Sequence, residues 1–416
     1  MESINSQKKI KYGRIKIDSL DLLLLLAICE KNIVRYVLYV FRLIPGLPNL
    51  NTIILHTIYI LLFFISFYKQ KIKLNKNSVV FLFLAISNVL FSAIIYPENS
   101  IYIFNSNNFW EMIFPCLRYF LIGYAVCITK ERSDVIAKAS CIGIIIEAIY
   151  AFTFMRSNEL LATDDMSRSY QLLFNVLFVL NYTLSKKKII PFICSIIGFI
   201  YLLAMGTRGP IIIFLSCFFI LMIYKIKGRF FTKTCISFLI VLIFYLIFIS
   251  NLYVSFLNIS VEFFEKIGVS TRVLDFALKG DIISYTSGRD QIYEIALEKI
   301  KESPFVGYGL YGEWKWFNWN VHNLYLETFI HYGVIIGSLL LLWLIVIVCN
   351  TFLKTKSTYV KELIIVLTCI VFIKGIFGGS FYDKWVFFLI GICMNKSNFS
   401  KGESIHDKTS YCCGWI

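Results

Sequence analysis

Long hydrophobic runs alternate with short polar connections along almost the whole chain. Twelve of these runs approach the length that an α-helix needs to cross a bilayer, about 20 residues. The pattern therefore predicts an all-α integral membrane protein with about 12 transmembrane helices. The first run is the least regular, because charged residues interrupt it. The runs cover residues 19–38, 51–68, 78–96, 109–128, 134–155, 169–184, 189–206, 209–225, 234–255, 323–349, 360–377 and 380–395.

One polar interval is much longer than the others and separates the ninth run from the tenth. It covers residues 256–321, and we predict that it forms one large loop with short helices. No internal repeat or low-complexity tract divides the remainder. The chain is therefore predicted to form a single polytopic domain, residues 1–416, in which this loop carries part of the functional site.

A helix start within the loop places an arginine in an unusual position. Ser287 followed by Asp290 three residues later is typical of a helix N-terminus, and Pro304 ends the helix. Arg289 then lies in the first turn, where a positive charge opposes the helix dipole. An anion bound between Arg289 and the free backbone N–H groups would explain this position; the alternative is a solvated arginine on an ordinary amphipathic helix. Apolar residues recur at helical spacing at Ile292, Ile295, Ala296 and Ile300.

Composition supports the membrane assignment and excludes several classes of protein. Of 416 residues, 58% are hydrophobic and 16% charged, and the mean hydropathy is +0.72; a soluble domain could not bury so much apolar surface. Most of the 12 cysteines lie inside hydrophobic runs and none lies in the long loop, which excludes a disulfide-stapled exterior, and no Cys-x-x-Cys pair is present to suggest a cysteine metal site. The long loop has seven Lys/Arg and nine Asp/Glu, so it offers no basic patch for nucleic acid.

Positive charges are distributed unevenly between the two sides of the predicted bundle. The net charge is +15, and Lys and Arg concentrate in alternate short loops, whereas the loop at residues 97–108 has neither. Cytoplasmic loops of membrane proteins carry the excess of Lys and Arg. Both termini are therefore predicted to be cytoplasmic and the long loop extracytoplasmic. No cleavable signal peptide is recognisable.

Reporter fusions test this topology. A reporter fused near Lys279 is expected to report an extracytoplasmic position, and one fused after Lys401 a cytoplasmic position, because the charge pattern alternates across an even number of spans. The measurement is the compartment-specific activity of each fusion. Two fusions that report the same compartment would show that the twelve-span topology is wrong.

A second arginine lies in the short connection between two hydrophobic runs, residues 206–210. An arginine is unexpected in so short an outer loop. Arg208 could be fixed at the membrane surface to bind a phosphate with two of its nitrogens, with Gly209 leaving the backbone open. The alternative is an arginine that snorkels to the interface.

His322 lies where the long loop returns to the membrane, beside Asn323. Histidine is the usual general base near neutral pH, and Asn323 could orient its ring or a sugar. The alternative is a histidine that only forms interfacial hydrogen bonds. His331 is interpreted as a packing residue, and His56 has no recognisable polar neighbourhood.

Four aromatic residues precede His322 in the long loop. They are typical of the aromatic belt at a bilayer surface, and they could also form a platform on which sugar rings stack. The two interpretations are compatible. The residues are Trp314, Trp316, Phe317 and Trp319.

Charged residues within hydrophobic runs are expected to face a cavity or a partner, because an isolated charge in lipid is costly. Glu111 and Arg118 lie on one helical face. Arg118 could either extend a phosphate site inward or pair with Glu147. The acidic pair at residues 164–165 (Asp164 and Asp165) could hold a divalent cation, but it has no companion ligands nearby in sequence, so a solvated loop is favoured and no metal site is expected.

Taken in order, these motifs resemble the O-antigen polymerase and O-antigen ligase family. Thr207 stands where the family often has serine, and Tyr293 occupies a position that is often tryptophan. Neither departure removes a charged group. The similarity rests on Thr-Arg-Gly at 207–209, Gly-Arg-Asp at 288–290, Pro-x-x-Gly-x-Gly at 304–309 and His-Asn-x-Tyr-Leu at 322–326.

The resemblance implies a multi-pass glycosyltransferase of the bacterial inner membrane that acts on its extracytoplasmic face. Arg208 and Arg289 match the arginines thought to hold an undecaprenyl diphosphate, and His322 matches the histidine that acts on the acceptor. No cofactor is expected, and the reaction is expected to be metal-independent. Expected partners are an undecaprenyl-diphosphate-linked oligosaccharide, the bilayer and a chain-length regulator protein, but no nucleic acid. The expected substrate-binding residues are Arg118, Asn323, Gly209 and Trp319.

The first expected function is polymerisation of lipid-linked repeat units into O-antigen or capsular polysaccharide. Two alternatives stay open: a ligase that transfers glycan to lipid A core or to a protein, and a transporter or flippase for lipid-linked sugar. A transporter is the least expected, because the repeat halves and broken helices typical of transporters are not recognisable in the sequence.

Overall fold

The computed structural model describes a helical bundle, and the part of the chain that it describes contains no strand. This confirms the all-α prediction. The described residues are 18–30, 50–105, 109, 113–154, 162–204, 208–226, 252–266, 278, 289–318 and 320–400. The helices are Ser19–Cys29, Leu50–Gln70, Lys76–Ile95, Pro97–Asn99, Ser100–Ile103, Phe114–Ala125, Lys130–Phe154, Ala162–Lys186, Ile189–Ala204, Arg208–Lys225, Leu252–Lys266, Arg289–Glu302, Trp314–Phe317, Leu324–Lys354, Thr358–Thr368, the π-helical Cys369–Ile373, Lys374–Phe377, Lys384–Met394 and Ser397–Ser400.

The helices follow the predicted hydrophobic runs, although their lengths vary. Lys76–Ile95 and Leu324–Lys354 are long and apolar enough to cross a membrane by length and composition. The other helices within the runs are shorter, more polar or interrupted, so the number of twelve crossings stays a prediction. Most of the predicted run 234–255 lies outside the described residues.

The helix Lys76–Ile95 joins the two ends of the bundle, since 20 helical residues extend about 30 Å. At one end, which we call the loop end, the hydroxyl of Tyr96 donates a hydrogen bond to the carbonyl of Gly307 (3.3 Å). At the other end, the side chain of Asn75 donates to the carbonyl of Met394 (3.0 Å). The long loop therefore lies at the end of the helix opposite Asn75.

Two loops that the charge pattern assigns to the same face do meet at the loop end. Lys315 forms an ion pair with Glu98 (2.6 Å), and the side chain of Asn99 donates to the carbonyl of Tyr308 (2.8 Å). These contacts join residues 97–99 to the long loop, as the predicted topology requires. The side of the membrane that the loop end faces stays a prediction.

The helix Leu324–Lys354 is interrupted at Gly333 (φ 73°, ψ 171°), and we call it the broken helix. No broken helix is recognisable in the sequence, and the structure shows one here. The backbone groups around the break bond to the chain's own loop instead of to the next helical turn. The hydrogen bonds run from Tyr308 N–H to the Ile330 carbonyl (2.7 Å), from Gly309 N–H to the His331 carbonyl (3.1 Å) and from Val334 N–H to the Pro304 carbonyl (2.6 Å).

Two glycines allow the loop to approach the break this closely. A Cβ on Gly333 would lie 2.5 Å from the carbonyl carbon and oxygen of Phe305, and a Cβ on Gly307 would lie 2.6 Å from the nitrogen of Gly333. Both glycines have a positive φ, 74° at Gly307 and 73° at Gly333. Residues that carry a side chain rarely adopt this backbone conformation. The Pro-x-x-Gly-x-Gly turn therefore serves to dock the loop into the broken helix.

Replacing Gly333 by alanine is expected to lower the unfolding temperature of the detergent-purified protein by several degrees. Its backbone lies in a region that is essentially restricted to glycine and costs other residues about 1–3 kcal/mol, and the clash with Phe305 adds to this. Gly337→Ala is the comparison, since a Cβ on Gly337 would also meet close neighbours, the ring of Phe329 (2.8 Å) and the carbonyl of Thr328 (3.1 Å), but on a helical backbone without the strained φ of Gly333. A Gly333→Ala protein as stable as the Gly337→Ala protein would contradict the proposed docking role.

The predicted loop helix is confirmed as Arg289–Glu302, and we keep that name for it. Ala296 and Ile300 are buried in a small apolar cluster with Val321 of the loop and Ile330 of the broken helix. Ile295 is 37% exposed, so the buried face is narrower than the sequence pattern predicts. This cluster packs the loop helix against the first turns of the broken helix.

Candidate active site

Arg289 is the first residue of the loop helix and points toward the bundle. Its Nη1 donates a hydrogen bond to the carbonyl of Phe377 (2.6 Å), which lies at the end of the helix Lys374–Phe377. That carbonyl has no next helical turn to bond, so a guanidinium is a natural partner for it. The hydrogen bond to the Phe377 carbonyl uses one of the five N–H donors of the Arg289 guanidinium.

The start of the helix that begins at Arg208 lies against the same residue, Phe377. Arg208 is the first residue of the helix Arg208–Lys225, and the next residue, Gly209, packs tightly: a Cβ there would overlap the hydroxyl of Tyr170 and lie 3.3 Å from Cβ of Phe377. The backbone at residues 208–209 and the guanidinium of Arg289 therefore meet at Phe377, although 81 positions separate the arginines in sequence. The Arg208 side chain lies outside the described part of the structure.

His322 has a left-handed backbone conformation (φ 58°), which is uncommon for residues other than glycine and is found preferentially at functional sites. Its side chain retains contact with solvent. Partial desolvation, and next the positive charge of Arg289, lower the pKa of His322 from its usual value. A lowered pKa leaves the imidazole neutral near pH 7, the form that can accept a proton.

Two side chains link His322 to the residues beside Phe377. The hydroxyl of Tyr293, four positions after Arg289, lies within hydrogen-bond reach of the carbonyls of His322 (3.5 Å) and Ile376 (3.4 Å). The side-chain nitrogen of Asn323 donates to the same Ile376 carbonyl (3.4 Å). The loop helix, the start of the broken helix and residues 376–377 thus form one unit.

Asn323 also has a structural task, because it caps the broken helix. Its side-chain oxygen accepts hydrogen bonds from the N–H groups of Tyr325 (3.0 Å) and Leu326 (3.1 Å). Asparagine is among the strongest helix N-caps. The expected role of Asn323 in substrate binding stays a prediction, and its oxygen is already engaged by the backbone.

Two further residues belong to this group: Tyr170, which sequence reasoning missed, and Lys374, to which it assigned no role. Tyr170 packs against Gly209 and interacts electrostatically with Arg289, and the ammonium of Lys374 lies 5.8 Å from the centre of the Tyr170 ring. Lys374 is paired with Asp383. A tyrosine within a hydrophobic run gives no signal in a single sequence, whereas a lysine at the end of such a run does, and Lys374 could have been found that way.

Arg118 is buried within the bundle and its guanidinium is bound by protein groups. It forms two hydrogen bonds to the carboxylate of Glu30 (2.7 and 2.6 Å) and lies 3.8 Å from the centre of the Tyr59 ring. His56, which showed no polar neighbourhood in the sequence, lies 3.3 Å from it. The partner of Arg118 is therefore Glu30 and not Glu147, whose carboxylate accepts a hydrogen bond from Tyr201 (3.4 Å). A role of Arg118 in phosphate binding stays a prediction.

The remaining predicted residues differ in how much the structure describes. Trp314 and Trp316 are half-buried: the indole N–H of Trp314 donates to Asn320 (2.9 Å), and Trp316 packs edge-on against Tyr308 (4.8 Å). Much of this cluster therefore contributes to the loop's own packing. Trp319 and Glu111 lie outside the described residues. Asp164 and Asp165 lie in the first turn of the helix Ala162–Lys186, and their side chains are not described.

Comparison with known proteins supports the resemblance found in the motifs. Residues 193–342 match the family model described as O-antigen ligase. The match includes the Arg208 turn, the loop helix, His322 and the break at Gly333, and it covers less than half of the chain. It confirms the similarity to the O-antigen polymerase and ligase family. Among the curated proteins, no match was found.

Proposed function

We propose that this protein is a membrane glycosyltransferase that joins undecaprenyl-diphosphate-linked oligosaccharide repeat units into an O-antigen or capsular polysaccharide. The reaction would take place at the loop end, on the extracytoplasmic face of the bacterial inner membrane. The observation that supports this most directly is the meeting of Arg289, His322 and the Arg208–Gly209 backbone around residues 376–377.

The two arginines are proposed to hold the diphosphate of the donor. Departure of the lipid diphosphate builds negative charge on its phosphate oxygens, and fixed guanidinium groups in a partly dry site stabilise that charge. Arg289 is positioned for this by its bond to Phe377, and Arg208 by the close packing of Gly209. The helix N-termini at which both arginines stand add their free N–H groups.

His322 is proposed to activate the acceptor. A sugar hydroxyl of one glycan attacks the anomeric carbon of the other, the bond from that carbon to the diphosphate oxygen breaks, and the hydroxyl proton passes to the imidazole. The products are the lengthened glycan and free undecaprenyl diphosphate. The lowered pKa of His322 supports this role, since the base must be neutral before it accepts the proton.

Ligation is the second candidate, and the description of the matching family as O-antigen ligase favours it. A ligase would use the same donor groups and differ only in its acceptor, which would be lipid A core or a protein. The described site does not include an element that selects between these acceptors.

Chain lengthening by the purified protein is the test. The protein in nanodiscs is mixed with an undecaprenyl-diphosphate-linked repeat unit alone, or with lipid A core added, and the products are separated by size. A polymerase is expected to produce a ladder from the lipid-linked substrate alone, accompanied by release of undecaprenyl diphosphate. If the only product is a single glycan transfer that requires lipid A core, the protein is a ligase and not a polymerase. Absence of both products from a folded preparation that binds the donor would overturn the proposal.

A further inference from the structure

A second polar cluster lies beneath the long loop, where Glu313 of the loop meets Glu327 and His331 of the broken helix. All three side chains are buried, with 0%, 2% and 4% of their surface exposed. The sequence favours a packing role for His331; the residue is buried as that role requires, and it also pairs with a carboxylate. Its Nε2 lies 2.6 Å from Oε2 of Glu313 and donates to it.

The charge of this cluster is not balanced by the contacts described. Two carboxylates share one imidazole, and the charged groups that interact with Glu327 are Glu313 and His331, while those that interact with His331 are Glu313 and Glu327. No lysine or arginine is among these described interactions. Burying two carboxylates without compensating charge is costly.

Each of the three side chains also has a buried polar atom that lacks a hydrogen-bond partner among the described residues. The hydroxyl of Ser380 donates to Oε1 of Glu327 and the backbone N–H of Phe381 also interacts with this carboxylate, whereas Oε2 has no partner in hydrogen-bond geometry. Unpaired buried polar atoms are rare in native proteins and indicate a missing partner. The atoms are Oε1 of Glu313, Oε2 of Glu327 and Nδ1 of His331.

We infer that Glu313, Glu327 and His331 bind a divalent transition-metal ion of the zinc or manganese class. One donor atom from each residue can be chosen so that all three lie within 4.8 Å of one another. A doubly charged ion would neutralise the two carboxylates with His331 in its neutral form. An imidazole among the ligands favours transition metals over magnesium or calcium, which prefer oxygen ligands throughout.

The ion would act as a clamp between the long loop and the broken helix. Glu313 directly precedes the short helix Trp314–Phe317, and Glu327 and His331 lie in the first turns of the broken helix, after its cap Asn323. A cation between them would add to the backbone hydrogen bonds at residues 308 and 309. It would thereby fix the segment that leads to His322. The clamp does not rest on the proposed function, because these three residues are not assigned to the reaction.

Metal analysis of the full-length protein tests this inference. The protein is purified in detergent through a tag without histidines and without chelators, and its metal content is measured by mass spectrometry. We expect about one zinc or manganese ion per chain in the unmodified protein. Glu327→Gln and His331→Gln should reduce the content to background. Glu362→Gln is the matched control, since Glu362 is also buried (6%) but is paired with Lys225, and it should retain the ion.

Thermal unfolding provides a second readout that does not require the variants to fold. Prolonged chelation of the unmodified protein should lower its unfolding temperature, and added zinc or manganese should restore it in a concentration-dependent way. The inference would be wrong if the unmodified protein contained only background metal and its unfolding temperature responded neither to chelation nor to added metal. The three side chains would then interact only by sharing protons. If only magnesium or calcium restores the unfolding temperature, the assignment of the ion to the zinc or manganese class is wrong.

Discussion

Lysine in place of Arg289 or Arg208 is expected to reduce polymer formation by about 30- to 1,000-fold. Lysine preserves the positive charge but loses the planar fork that binds two phosphate oxygens at once. Loss of one such contact in a screened site costs about 2–4 kcal/mol of transition-state stabilisation, and that energy corresponds to the stated range. The measurement is the rate of chain lengthening of each purified variant with the lipid-linked repeat unit.

Arg132→Lys is the matched control for this experiment. Arg132 also binds two oxygen groups through its fork, the carboxylates of Asp18 and Asp21, each at 3.0 Å, but it lies in a different part of the bundle, at the start of the helix Lys130–Phe154. Its replacement should leave the rate within a few-fold of the unmodified protein. Near-normal rates for both Arg208→Lys and Arg289→Lys would contradict the proposal that the two arginines share one diphosphate.

The charged residues illustrate how far a single sequence can go. Arg289 stood out because a cation at a helix N-terminus is unfavourable without an anion, and the structure does place it at the first residue of the loop helix. Its bond to Phe377 joins positions 88 residues apart. Hydropathy and helix signals are local, so they carry no information on which distant residues meet. For that reason the sequence does not show that Tyr170 belongs to the site.

Buried charges show the same limit. The sequence indicated that Arg118 needs a partner, and Glu147 was a candidate because it lies in a neighbouring run. The structure pairs Arg118 with Glu30 instead. In the sequence, Glu30 is recognisable only as one of the charged residues that interrupt the first hydrophobic run. The position of Arg118 within a hydrophobic run is enough to show that its charge needs a partner. Which residue is that partner depends on how three helices pack together.

The break at Gly333 is a third case. The run 323–349 carries Glu327 and His331 near its start and is hydrophobic beyond Gly333, and one glycine within it is no reliable signal of a break. The interruption forms because the loop supplies hydrogen bonds to the freed backbone groups. The two halves of this interaction, Gly307 and Gly333, were visible separately as a turn residue and as a glycine in a helix. Only the three-dimensional structure shows that these two glycines lie in contact.

Removal of the His322 imidazole is expected to reduce turnover by about 10²–10⁴-fold, the usual contribution of a general base. Affinity for the lipid-linked donor should change little, because a base acts on the acceptor hydroxyl and not on the diphosphate. For the unmodified protein, turnover should decrease as the pH falls through a pKa below the ordinary histidine value, since that is where the imidazole becomes protonated and unable to accept a proton. In variants without the imidazole, the residual turnover should no longer decrease over this pH range.

The left-handed backbone of His322 decides how this experiment is designed. Alanine is strained at a positive φ, so a loss of activity in His322→Ala could arise from the backbone; asparagine tolerates this conformation and lacks a basic nitrogen. His322→Asn is therefore the informative variant, and Asn318→Ala is the control for strain, since Asn318 has nearly the same conformation (φ 55°) and is exposed in the same loop. We expect His322→Asn to be inactive and Asn318→Ala to be nearly normal. If turnover of His322→Asn stays within a few-fold of the unmodified enzyme while donor affinity is unchanged, His322 is only an interfacial hydrogen-bonding residue. The base would then be sought among the carboxylates of the long loop.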